Sequence, residues 1–140
     1  MTRRRYLHRL TGAWSDHIDI WVHLPHTTTR LTDPAPETSE TVRARVTAAR
    51  AAAARRWQEH GYTSNAGVPG TVLRHGFRYP AATTAPIESA LHTGRLSARG
   101  PDSVLRLAWT LCGLRAADQP SKHDVTDALI LRQRPQPPLT

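Results

Sequence analysis

A mainly α fold, a small helical bundle preceded by one helix and one orphan strand, is what this sequence predicts. Apolar residues recur at steps of three and four through most of the chain, one β-rich run from Asp16 to Val22 interrupts that rhythm, and Pro and Gly clusters punctuate the segments between. The length of 140 residues suits one modest core, and the apolar share of 39% is lean.

In chain order, Arg3 to Leu10 (RRRYLHRL) predicts a short basic helix with Tyr6 and Leu10 at i,i+4, and Gly12 interrupts it. Asp16-His17-Ile18-Asp19-Ile20-Trp21-Val22 reads as a strand that Pro25 closes. One strand cannot satisfy its own backbone groups, so its partners are expected on other polypeptide. Residues 27–38 carry Thr, Pro and Asp without periodicity and read as a linker.

From Ser39, the expected N-cap, Val42, Val46, Ala49, Ala53 and Trp57 form an apolar stripe that Gly61 ends. Shorter helices are expected near Pro69 to Arg74 and near Thr84 to Thr93, the latter carrying Ile87, Ala90 and Leu91. A longer, central one starts at Pro101 and runs through Val104, Leu105, Ala108, Leu111 and Cys112 to about Leu114. The last opens on Ser121-Lys122-His123-Asp124, a capping box, and offers Val125, Ala128 and Leu129 to the core before Pro135. The division expected is therefore 1–26, helix and strand; 27–38, linker; 39–134, helical domain; 135–140, Pro-rich tail without order.

The formal charge of +8 points to a polyanion as partner, yet the basic residues are nearly all Arg amid abundant Ala and Pro, which a GC-rich coding sequence produces unaided. Arg3, Arg4, Arg5 and Arg9, with Arg43 and Arg50 on the long helix, are the candidate nucleic-acid contacts; an ordinary solvated face is the alternative for each. Cys112 is the only cysteine, and no apolar run reaches membrane-spanning length, so a cytoplasmic protein without a membrane partner is expected.

Catalysis by this chain alone is not expected. Lys122 is its only lysine and no Gly-rich turn leads to it, so the backbone-and-ammonium cradle of a phosphate-binding loop cannot be built. Eight His without a second Cys give no metal-ligand spacing, His23 and His26 flanking a proline. No nucleophile elbow frames any Ser.

Several stretches together resemble the C-terminal part of the magnesium-chelatase-like AAA+ ATPases, in the ComM/YifB branch associated with bacterial DNA uptake and recombination. They are Arg5-Tyr6-Leu7 to Gly12, Asp16-His17-Ile18-Asp19-Ile20, Val42-Arg43-Ala44-Arg45-Val46, Asn65 with Val72-Leu73-Arg74, and Asp124-Val125 with Ala128-Leu129 and Leu131-Arg132. Most specific is Gly94-Arg95-Leu96-Ser97-Ala98-Arg99-Gly100 followed by Val104-Leu105-Arg106-Leu107-Ala108-Trp109-Thr110-Leu111.

The resemblance implies that the bundle is an AAA+ lid, that the early helix and strand are a remnant of the ATPase core, and that the rest of that core lies upstream. It implies ATP and Mg2+ only through that core, with a core domain or subunit as partner and a homo- or hetero-oligomeric ring as the assembly. Arg99 matches the second sensor, an always-charged guanidinium with paired donors for a terminal phosphate; the alternative is that it merely decorates a helix end, and the surrounding motif favours the sensor. His17 stands where the family has the Arg of an arginine finger, and an imidazole is shorter and lacks the bidentate grip. Pro101 and Asp102 also depart from the family's aromatic and basic residues, and the cysteines that often precede Arg5 are missing. The alternatives are an autonomous DNA-binding helical module and a decayed, truncated gene product.

Overall fold

The computed structural model describes residues 17–22 and 35–133, and among these it contains five α-helices and no strand. The early helix, residues 27–34 of the linker and the Pro-rich tail lie outside the described residues.

Helix α1 spans Ser39–Trp57. Its cap is Thr38 rather than Ser39: Thr38 is extended, and its hydroxyl accepts from the Thr41 amide at 3.2 Å, whereas Ser39 already belongs to the helix. The predicted stripe is buried only in its second half, at Ala53 and Trp57, while Val42 remains 37% exposed. A turn of tighter helix, Gln58–His60, follows, and Gly61 closes it as expected.

Helix α2, Gly70–His75, is short and buries Leu73. Helix α3, Ala81–His92, starts earlier than its apolar spacing implies, because Pro80 sets the turn and Thr83 turns inward with Ile87 and Ala90; Leu91, expected in the stripe, is exposed. Helix α4, Gly100–Leu114, is the centre of the fold, with Val104, Leu105, Leu107, Ala108, Trp109 and Cys112 buried. Helix α5, Lys122–Arg132, carries the predicted capping box in full and buries Val125 and Ala128.

A short connection turns α5 back along α4, α1 lies against α4, and α3 packs on α5. Arg115 at the end of α4 holds Asp124 in the first turn of α5, which fixes that corner. The start of α4 and the end of α5 consequently share the opposite end of the hairpin.

The strand anticipated at Asp16–Val22 does not form in its described part. Residues 18–22 lie without regular structure, and the carbonyl that receives the Trp21 amide, at 2.7 Å, is that of Leu131 in the last turn of α5. A ladder needs a neighbouring extended backbone that alternates donors and acceptors, and a helix end supplies only an isolated carbonyl. The local β preference of Ile18, Ile20 and Val22 was outweighed by docking on the bundle's own chain.

Candidate functional site

The segment between α3 and α4 shows how one arginine comes to stand at a helix start. Thr93 back-bonds through its hydroxyl to the Ser89 carbonyl at 2.8 Å, and Gly94 adopts φ of 67°, the left-handed turn that glycine enters without a Cβ clash. The chain then reverses, with the Leu96 amide on the Ala90 carbonyl at 3.1 Å and the Gly100 amide on the Ser97 carbonyl at 2.8 Å. Leu96 lies directly over Gly100, where an added Cβ would come within 2.3 Å of its Cδ1. Both glycines of the Gly94 to Gly100 run are thus required by geometry, and their effect is to seat Arg99 as the N-cap of α4, exposed to solvent.

Arg99 makes no ion pair among the described residues. It stands at the positive end of a 15-residue helix, where an anion is favoured. One turn inward, Asp102 pairs with Arg74 of α2, so a carboxylate already occupies part of that end and the Arg74 charge is engaged. His17 is exposed and directly precedes the segment docked on α5.

The central helix is held by an aromatic cluster that local periodicity did not reveal. Trp57 and Trp109 meet edge-on at 5.7 Å, Phe77 lies 4.7 Å from Trp109, and the Arg56 guanidinium sits 4.2 Å over the Trp109 ring. Burial lowers the Arg56 pKa and raises that of Tyr79. Each indole N–H is matched: Trp57 donates to the Asn65 side chain at 2.8 Å, and Trp109 donates to the Tyr79 hydroxyl at 2.8 Å, which passes a hydrogen on to the Leu73 carbonyl. Asn65 also donates to Thr110, and Arg106 donates twice to the Val68 carbonyl, so α4 is pinned along its length. Trp57, on the predicted apolar stripe of α1, was the one member that spacing pointed to; Phe77 and Tyr79 lie in irregular chain and gave no signal.

Of the basic candidates, Arg43 and Arg50 are exposed, seven residues apart on one flank of α1, and neither has an ion pair among the described residues. Arg45 is engaged by Glu37 through both carboxylate oxygens. Arg3, Arg4, Arg5 and Arg9 lie outside the described residues. No group of metal-ligating side chains occurs among the described residues, and none of the described helices is long and apolar enough to cross a membrane.

Comparison with known proteins agrees with this architecture. A family model described as magnesium chelatase, subunit ChlI C-terminal, matches residues 36–132. Uncharacterized proteins of Mycobacterium bovis and Mycobacterium tuberculosis are 41% identical over 133 residues, which cover 94% of this chain and 26% of each relative. The chain thus spans about a quarter of the length of the curated relatives it matches. No solved structure matches it significantly.

Proposed function

We infer the function from membership: the chain belongs to the magnesium chelatase, subunit ChlI C-terminal family, and its helical body is the C-terminal lid of a magnesium-chelatase-family AAA+ protein. The finer reading is of the ComM/YifB type: a lid that senses nucleotide for an ATP-driven machine acting on DNA, partnered by an AAA+ core domain or subunit in a ring. The observation that carries it is Arg99, held by the Gly94 to Gly100 turn at the start of the central helix as an exposed guanidinium with no ion pair among the described residues.

The residues present fit one part of a nucleotide only. A guanidinium at a helix start suits a terminal phosphate, whereas among the described residues nothing cradles the rest of the phosphate chain or groups ligands for Mg2+. ATP and Mg2+ belong to the core in this reading, and this chain supplies the Arg99 contact and the surface that moves with it. His17, at the finger position, offers a side chain shorter than arginine and without its bidentate grip, and so makes a weak finger.

Nucleotide titrated into the chain alone, and into the chain mixed with a matching core, tests the reading. Binding should require the mixture, and Arg99→Ala should weaken it about tenfold, the scale of one charge-assisted contact. Tight binding by the chain alone, or no response to Arg99→Ala, overturns it.

The exposed pair Arg43 and Arg50 favours a second reading, direct contact of α1 with a DNA backbone. Its affinity must fall steeply with salt as counterions are released. Failure to retain duplex or single-stranded DNA at low salt removes it.

A further inference from the structure

Helix α1 outruns the helix it packs on. Trp57 meets Trp109, and Ala49 lies against Gly113, where a Cβ would stand 3.8 Å from that of Ala49, so α1 and α4 run antiparallel. Helix α4 ends one residue later, at Leu114. The part of α1 before Ala49 therefore continues past the end of the central helix. From Ser39 to Ala48 every residue is exposed except Val46, which is half-buried. At about 1.5 Å per residue this arm is roughly 15 Å of helix with little core behind it.

So short a helix is marginal in water by itself, and local devices hold this one. Thr38 caps it, and Glu37 grips Arg45 eight residues on, accepting from both guanidinium nitrogens at 2.6 and 2.9 Å. Ala44, Ala48 and Ala51 add high helix propensity. An arm kept helical before anything touches it is preorganised, which lowers the ordering cost of binding.

The pattern on the arm specifies the chemistry of what it binds. Val42, Val46, Ala49 and Ala53 follow one another at four, three and four residues, the alternation of a coiled-coil seam. Ala53 is buried within the body, whereas Val42 is left open. On the same count Arg43 and Arg50 both take the e position beside the seam, exposed and without an ion pair among the described residues. Charges at that position choose the partner, and two guanidiniums there select carboxylates on the facing helix. A second copy of this chain is disfavoured, because antiparallel pairing would set Arg43 and Arg50 against their equivalents and parallel pairing would set them against Arg45. A nucleic-acid backbone would satisfy the guanidiniums but leave Val42 in water.

We propose that the projecting half of α1, Ser39 to Arg50, is a docking arm for an acidic amphipathic helix of another protein, whose apolar seam covers Val42 and Val46 and whose carboxylates meet Arg43 and Arg50. The contact spans a few turns only, so it is a small and reversible interface. It uses neither Arg99 nor nucleotide, and stands or falls apart from the sensing reading.

The probe is a synthetic helical peptide with Leu at its a and d positions and Glu at e and g, where like charges keep it from pairing with itself. This peptide, and its counterpart with Lys in place of Glu, are titrated into the isotopically labelled 140-residue chain and followed by amide chemical shifts. Shifts should move in residues 39–50, and the Glu peptide should bind at least about tenfold more tightly than the Lys peptide. Arg43→Glu combined with Arg50→Glu should reverse that preference, Arg43→Gln with Arg50→Gln should erase it, and Val42→Asp should abolish binding. All three positions are exposed, so the melting temperature should not change.

Unmoved shifts in the arm overturn the proposal. So does a preference that survives charge reversal, or binding that survives Val42→Asp, since either reduces the contact to general attraction toward a basic chain. Dimerisation of the chain through Val42, seen by sedimentation, would make a second copy the occupant. A duplex DNA oligonucleotide that displaces the Glu peptide and tolerates Val42→Asp would make it a nucleic acid, and each of these results also overturns the proposal.

Discussion

Asp124 shows how one side chain can be costly to bury and still stabilise. Burial by itself would raise its pKa, but Arg115, the Ser121 amide and the Ser121 hydroxyl all favour the carboxylate and hold the value below the ordinary carboxylate range. A group depressed in the folded state contributes stability that is fully present above its unfolded value and is lost as pH falls through the folded one. Asp124→Ala should cost about 2–3 kcal/mol at neutral pH, from the lost charged hydrogen bonds and cap, and should flatten the acid limb of stability measured by denaturant titration. A second test at this scale is Gly100→Ala. Its Cβ would press on Leu96, so a loss of about 1–2 kcal/mol by thermal unfolding is expected, together with chemical-shift changes at Arg99.

The elements were legible where their cause was local. Ser121-x-x-Asp124 announced the last helix, and Ala53 and Trp57 announced the buried face of α1. What failed depended on distant chain: Val42 continues the stripe but has little of the described core to cover it, and Ile18 to Val22 reads as a strand until the Leu131 carbonyl is known to meet it. The Thr38 and Ser121 caps test this difference. Both accept an amide, but Ser121 shares Asp124 with the buried corner whereas Thr38 caps an exposed end. Ser121→Ala should cost about 1–2 kcal/mol, and Thr38→Ala no more than about 0.5 kcal/mol, in global unfolding by circular dichroism. Of the candidate site, the sequence supplied Arg99 and the two glycines around it; the hydrogen bond from Arg132 to the Ile18 carbonyl joins positions more than a hundred residues apart and left no periodic trace.

At the scale of the whole molecule, every buried apolar residue of the described structure lies between Ala53 and Ala128. Residues 36–132, the span of the family match, therefore contain the core, and cut out alone they should melt within about 5 °C of the full chain in a calorimetric scan. A much larger fall would place essential packing in residues 1–35 or 133–140. Such independence suits a part that swings as a unit, because a lid whose core leaned on its neighbour could not change angle without partly unfolding.

The edge-on pair of Trp57 and Trp109 has an optical consequence. Two indoles 5.7 Å apart and inclined at 73° have coupled excited states, so they should give a paired positive and negative circular dichroism signal absent from isolated indoles. That signature depends on the rings keeping their mutual orientation rather than on helix content. It gives the protein a built-in gauge that separates a loosened interior from unwound helices without any added dye.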